Sequence, residues 1–534
     1  MHYHDPMGKA PEGKKAGDAL RREERARRGL YLKGLATGIT AGFVVVAYRL
    51  ILEKAAVFRT LVYGQAARNG PAGVFLLFAG LAAAALLVGS LVRRAPMIKG
   101  SGIPQVKGVL LRQFRMKWLE ELVLKFFGGV TALAFGLSLG REGPSIQLGA
   151  HVGAGLASAS KSPEVDGKYL ITAGAGAGLA AAFNAPLAGV LFSLEELHKS
   201  FSPLMLTCTM VASLAAEIVS RNFVGLSPVF DFTLKEYLPL RHYPVLVFLG
   251  ALCGLVGVVF NAALIRSLDL HDSLIKSDIL KPLPAFLTAG CLGFLLPEVL
   301  GGGHELLMDS ALGKYGVTLL ILILGAKLFF TALSYGSGSP GGIFFPLLVV
   351  GALLGRIFSD LLVLWFSFDP GFAVNFIILG MAAFFTAVTR APITGAVLIS
   401  EMTGSLSHLI SLIIVSAVAY AVAEALKAKP IYDAFLDRLL SKGTISRATY
   451  EEGGKKMVLT IPVCSGSFLE QRPIRDLILP PGCVLVGVVR GKLERLPRPD
   501  MVLLPGDLLS VLTEEQRAAE LKPALLRLGL PGPG

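Results

Sequence analysis

The sequence predicts an all-α polytopic membrane protein: two repeat-related halves of broken and tilted helices, followed by a small α/β C-terminal domain. Three observations carry that prediction. The 534 residues are 53% hydrophobic and only 17% charged, where a soluble domain has about 25% charged. The apolar runs are repeatedly cut by Gly and Pro. Residues 185–195 (APLAGVLFSLE) return as 391–401 (APITGAVLISE), with Ala-Pro, the fifth-position Gly and the terminal Glu in register.

Runs such as 72–93 and 243–264 supply the roughly 20 apolar residues that cross a bilayer as helix. Between 140 and 200, and again between 336 and 404, Gly or Pro interrupts the pattern after about 8 to 15 residues, too few for a span, which predicts broken helices. The first 33 residues are polar and basic and lack the apolar centre of a signal peptide, so they predict a retained cytoplasmic arm. The formal charge of +13 comes partly from this arm and from 426–447. Lys and Arg beside membrane segments mark the cytoplasmic side; nucleic-acid binding is the weaker reading of the same charge. Cys208, Cys253, Cys291, Cys464 and Cys483 have no CxxC spacing, so neither a disulfide framework nor a metal site is expected.

The chain divides into a basic arm (1–33), a transport body (34–445, with repeats about 34–230 and 240–445 and an amphipathic end at 429–445) and a tail (446–534). In the tail, 457–463, 483–490 and 508–512 are short and rich in Val and Leu. Pro480-Pro481-Gly482 and Pro505-Gly506-Asp507 punctuate them, which predicts β-structure with turns, closed by a helix near 514–528.

The repeat extends upstream. Gly140, Pro144, Gly149, Ala150 and Gly153 match Gly342, Pro346, Gly351, Ala352 and Gly355. Interrupted hydrophobic segments at corresponding places point to a transport site between the halves. Three Gly/Pro-rich segments open apolar helices: 100–104 (GSGIP), 140–144 (GREGP) and 341–346 (GGIFFP). Pro is tolerated in a first helical turn, and the unpaired N–H groups and positive dipole end found there favour an anion. Close packing of helices on glycine is the competing use of the same residues.

Ionisable residues at membrane depth are functional by default. Glu142 follows Arg141, with a structural Arg–Glu pair as the alternative role. Glu195, Glu196 and Glu401 are candidates for an internal proton site. Adjacent helical residues point about 100° apart, so Glu195 and Glu196 cannot share one path. Glu195 and Glu401 are repeat-related, which suggests a structural role. His198 fits a membrane edge better than a relay, Ser101 an N-cap or a hydroxyl donor, and Tyr432 an interfacial belt or the inner end of an anion path.

The three helix starts, in this order and with KFFGG (125–129) and FNAPLAG (183–189) between them, resemble the signatures of the CLC chloride channel and transporter family over about residues 34–440. The resemblance implies the CLC fold, a homodimer with one pathway per subunit, and cytoplasmic N- and C-termini. It assigns chloride binding to the hydroxyls of Ser101 and Tyr432 and the backbone N–H groups of Ile343 and Phe344. It makes Glu142 the gating glutamate and Glu196 the internal proton-transfer glutamate, and an acid at 196 favours Cl⁻/H⁺ antiport over a passive gated channel. A serine at 101 resembles the chloride-preferring members. No cofactor is expected, chloride being the substrate.

A regulated cation-transport subunit is disfavoured because no TVGYG-like carbonyl filter is present. A nucleotide-binding enzyme is disfavoured because GSGSPGG (336–342) lacks the GK[ST] of a phosphate loop; no enzyme activity is expected. Where the family typically carries paired CBS domains, 457–515 instead resembles the TrkA C-terminal (RCK-C) domain of potassium-uptake regulators. That resemblance implies a role in sensing an unknown ligand, or in assembly.

Overall fold

A computed structural model describes residues 12–199, 201–230, 232, 237–442, 456–491 and 493–530. They form two compact units that divide between residues 447 and 448. In the first half of the larger unit run α1 (Glu12–Arg68), α2 (Gly70–Arg94), α3 (Ile103–Leu110), α4 (Trp118–Ala134), α5 (Glu142–Ala159), α6 (Glu164–Phe183), α7 (Pro186–Phe192) and α8 (Pro203–Val224). A π-helical turn, Ser193–His198, continues α7. The second half holds α9 (Pro244–Leu274), α10 (Leu283–Leu295), α11 (His304–Ala311), α12 (Val317–Gly336), α13 (Phe344–Phe366), α14 (Ala373–Thr389), α15 (Pro392–Thr403), α16 (Leu409–Ala425) and α17 (Ile431–Lys442). Among the described residues seven helices are long and apolar enough to cross a membrane, so the protein is multi-pass.

The structure adds detail to two expectations. Residues 12–33 of the basic arm are the first turns of α1, because 20–35 contains no Pro and is rich in good helix formers. Residues 1–11 of the arm and 446–455 of the tail lie outside the described residues. The glycines of 140–200 and 336–404 mostly do not break helices either. α13 runs unbroken for 23 residues and α6 for 20. Gly149 abuts the Gly174 carbonyl and Gly178, and Gly351 abuts the Gly380 carbonyl, so these glycines let α5 pack on α6 and α13 on α14 at backbone distance. The true breaks fall at Asn184 and Arg390, repeat-related residues that end α6 and α14 in the left-handed region (φ 52° and 66°).

Equivalent residues of the two halves make equivalent contacts, some within each half and some exchanged between them. Gly140 and Gly342 form an antiparallel bridge, with the Gly140 N–H donating to Gly342 O at 2.6 Å and the Gly342 N–H donating to Gly140 O at 2.8 Å. Buried Lys125 donates to the carbonyls of Ile98 and Gly100, and its equivalent, buried Lys327, to those of Val299 and Gly301. Glu401 accepts from the N–H groups of Leu187 and Ala188 at the start of α7 (3.1 and 2.7 Å). Glu195 accepts from those of Ile393 and Thr394 at the start of α15 (3.3 and 2.8 Å). Such reciprocity requires a two-fold relation. Because the glycine bridge is antiparallel, α5 and α13 leave it in opposite directions, as in an inverted repeat.

The smaller unit is a four-stranded antiparallel sheet of β1 (Lys456–Pro462), β2 (Val484–Arg490), β3 (Leu493–Arg495) and β4 (Leu508–Glu514) in the order β1-β4-β2-β3. Ile461 pairs with Leu509 and Leu485 with Val511. Helix α18 (Glu515–Gly529) closes a core of Ile461, Val488, Leu509, Val511 and Leu525. The sequence pattern missed β3, whose three residues are all exposed and carry no alternation.

Candidate anion and proton site

Three helix starts meet at the glycine bridge. The Gly341 N–H donates to Gly100 O at 2.9 Å. A Cβ on Gly143 would lie 2.9 Å from Ser101 and 3.2 Å from Gly342 Cα, so only glycine admits this approach of α3, α5 and α13. In each helix the first intrahelical bond begins after the proline: Val106 to Gly102, Ser145 to Arg141, and Leu347 to Ile343. The N–H groups ahead of these have no acceptor within their helix.

Every residue the sequence placed in the anion site is buried. Ser101, Ile343, Phe344 and Tyr432 are each 0% exposed and Glu142 is 1% exposed. The Ser101 hydroxyl accepts the Ile103 N–H at 3.3 Å and lies within hydrogen-bond reach of the Tyr335 phenol. The N-cap of α3 is Gly102, in the left-handed region at φ 88°. Tyr432 is no belt residue: its buried phenol has no hydrogen-bond partner in the protein, and its ring meets Phe192, which meets Phe344 in turn. The phenol lies within electrostatic reach of Tyr335, Glu142 and Glu196. A buried, unpartnered hydroxyl is costly unless a ligand satisfies it.

Glu142, the first residue of α5, crosses to the start of α13. Its carboxylate lies beside the Phe345 N–H: a Cβ built on Gly140 would be 2.4 Å from Glu142 Oε2 and 3.0 Å from Phe345 N, and Oε2 has no hydrogen-bond partner. Arg141 is 3.8 Å from it but 3.3 Å from Glu53, so the arginine is engaged elsewhere. A carboxylate here occupies the place that an anion would take at a helix N-terminus.

Glu196 stands apart from this point, on the π-helical turn, 3% exposed. Its Oε1 accepts from Lys107 Nζ at 2.9 Å. Sequence reasoning missed Lys107. The signal was an ionisable residue inside the short apolar helix that follows GSGIP, which membrane depth makes expensive. Tyr335 was missed as well, since nothing in an apolar α12 marks one tyrosine. Glu195 points away from Glu196 and caps α15, with the Thr394 hydroxyl as a third donor at 2.6 Å. His198 is half-buried, with Nε2 unpartnered.

A separate cavity reaches the back of the α3 start, lined by Lys99, Gly100, Gln105, Tyr335, Phe435 and Arg438. Asp272 holds its rim through Lys281 (2.9 Å), Arg438 (2.7 Å) and Lys442 (2.5 Å).

The fold and site define a multi-pass membrane protein whose inverted halves bring helix N-termini and buried hydroxyls to one anion-receptive point. The chain belongs to the voltage gated chloride channel family, whose model matches residues 83–424; a TrkA-C domain matches 458–526. It is 38% identical over 358 residues to the H(+)/Cl(-) exchange transporter ClcA of Vibrio cholerae, covering 65% of this chain and 76% of the relative. With the protein of the same name from Citrobacter koseri it shares 34% identity over 81% of this chain and 94% of the relative. Among solved structures, a slow cyanobacterial Cl-/H+ antiporter is similar at TM-score 0.73 and 31% identity, covering 77% of this chain and 98% of that one. A CLC-type fluoride/proton antiporter, at 24% identity and TM-score 0.63, shares the fold.

Proposed function

We propose that this protein exchanges chloride for protons across a cell membrane, as a transporter rather than an enzyme and without a resident cofactor. The observation that carries this reading is the buried Glu142 carboxylate, its Oε2 unpartnered, beside the Phe345 N–H at the start of α13. There an ionised side chain and a chloride compete for the same donors. Ionised, Glu142 closes the path; protonated, it loses its hold on those donors, swings aside and admits chloride. The inner chloride is held by the Ser101 and Tyr432 hydroxyls and the Ile343 and Phe344 N–H groups, donors without a fixed cation that would trap it. Glu196 supplies the proton from the cytoplasmic side.

Each chain works beside a second copy. The helices α7 and α15, of 7 and 12 residues, are too short to span, and the carboxylates that cap them, Glu401 and Glu195, are only half-buried, where lipid tolerates such groups only under protein. Half-exposed Leu187 and Ile393, repeat-related and among the capped residues themselves, supply the apolar face. Both termini are read as cytoplasmic from the basic runs beside α1 and α17, and the TrkA-C unit as a ligand-sensing regulator.

Removing the competing carboxylate tests the reading. Glu142→Ala should keep chloride flux in liposomes and abolish its dependence on pH. A variant that passes chloride with wild-type pH dependence would refute it.

A further inference from the structure

Lys107 is buried in α3, 4% exposed, yet it reaches two acids. Its Nζ lies 2.9 Å from Glu196 Oε1 and also hydrogen-bonds Asp433. Asp433 is the first-turn acid of α17, immediately after Tyr432. The other oxygen of Asp433 accepts from the exposed Lys199 at 2.6 Å. Hydrogen bonds thus run without a gap from the surface to Glu196: Lys199, Asp433, Lys107, Glu196.

A buried carboxylate or ammonium left alone is costly. An ammonium facing two carboxylates avoids this in both states of one of them. When Glu196 is ionised, Lys107 neutralises it; when Glu196 takes a proton, Lys107 keeps Asp433 as its counter-ion. Resting on the exchange reading above, we propose that Lys107 and Asp433 are positioning residues that set how firmly Glu196 holds its proton, through an ammonium shared between the two acids.

The other charged and titratable groups around the pair are accounted for. Lys199 lies just past the π-helical turn. His198 on that turn is within electrostatic reach of Lys168 of α6. The Tyr432 phenol approaches from α17. α5 meets the start of α3 with Gln147. On α17, Phe435 and Arg438, which line the separate cavity behind the α3 start, are rotated about 200° and 140° from Asp433 by the 100° helical step, so Asp433 faces away from that cavity.

The arrangement predicts pH shifts of opposite sign. In Lys107→Met the Glu196 carboxylate loses its cation and its proton is held more firmly, so the pH midpoint of proton flux in liposomes moves up. In Asp433→Asn the ammonium belongs to Glu196 alone, the ionised form gains, and the midpoint moves down. Each displacement should be about one pH unit or more, the range for an opposite charge in contact. Lys107→Arg keeps the shared cation and should stay near wild type, and Glu196→Gln should remove proton movement.

Shifts in the same direction, or unmoved midpoints with chloride flux intact, would overturn the proposal. If Lys107→Met cannot be reconstituted, the downward shift in Asp433→Asn decides alone. Proton movement that survives Glu196→Gln, or is absent from wild type, would instead remove the assignment of Glu196 or the exchange reading, and this inference with it.

Discussion

Glu195→Gln separates the two adjacent glutamates by what each one holds. Glu195 takes three hydrogen bonds at the start of α15, two from backbone N–H groups and one from the Thr394 hydroxyl. A bond to a charged acceptor is worth about 1.5–3 kcal/mol and a neutral one about 0.5–1.5. A glutamine keeps one oxygen: placed as Oε2 it weakens two bonds by about 1 kcal/mol each, while its NH2 faces the Ile393 N–H and loses the third at about 2 kcal/mol, about 4 kcal/mol in all. With an unfolding entropy of about 2 cal/mol/K per residue over the membrane unit, the melting midpoint should fall by about 4 °C.

Glu401→Gln weakens one such bond and loses the other, with no hydroxyl bond to lose since Ala188 stands where the other half has Thr394, and should fall by about 3 °C. The assay is thermal unfolding of purified protein in detergent at one scan rate, followed by proton and chloride flux of the same preparations. The capping account predicts this order of midpoints with proton coupling retained in both variants. A Glu195→Gln protein with a wild-type midpoint and lost proton movement would refute it, and would place Glu195 on the proton path.

Other expectations follow from the same geometry. Lys327→Met leaves two buried carbonyls without a donor and should cost about 2–4 kcal/mol; Lys125→Met leaves one, that of Ile98, because Gly100 O keeps the Gly341 N–H, and should cost about 1–3 kcal/mol, both measured as lowered midpoints. Lys125→Met should also weaken chloride binding by calorimetry, because Lys125 holds the Gly100 carbonyl beside Ser101. In the tail, burial pushes the Asp507 carboxyl up, but the Arg490 guanidinium at 2.7–2.8 Å and the Leu504 N–H outweigh it and hold it below the ordinary range. The resulting stability is present above the unfolded carboxyl pKa of about 4 and is lost as pH falls through the lower folded value. Arg490→Ala leaves Asp507, 1% exposed, without its cation. Hydrogen exchange in the tail should then reveal destabilisation of about 2–3 kcal/mol at neutral pH that shrinks on acidification.

Much of this was legible in the sequence because the repeat is local and chemical. Pro at a helix start, Gly at a close approach and a terminal Glu each leave a residue-level mark at a fixed offset. What stayed hidden depends on contacts across the repeat. A glycine that breaks a helix and one that seats a neighbouring helix look alike in sequence, so Gly149 and Gly351 read as interruptions, while the actual breaks at Asn184 and Arg390 are marked only by the Ala-Pro that follows each. Lys125 and Lys327 are repeat-equivalent, yet a lysine in an apolar run does not announce that its partners are carbonyls. Lys107 joins residues 89 and 326 positions away, and no period in the chain encodes that meeting. The two roles of Glu195 and Glu196 were separable from helical geometry, but what Glu195 caps became visible only with the second half in place.

The central claim is that one pathway couples two ions, and joint flux measurement tests it most directly. Purified protein in liposomes with an imposed chloride gradient and no proton gradient should drive protons uphill, opposite to chloride. Chloride movement that dissipates its gradient while pH stays flat would contradict the account and identify a passive channel.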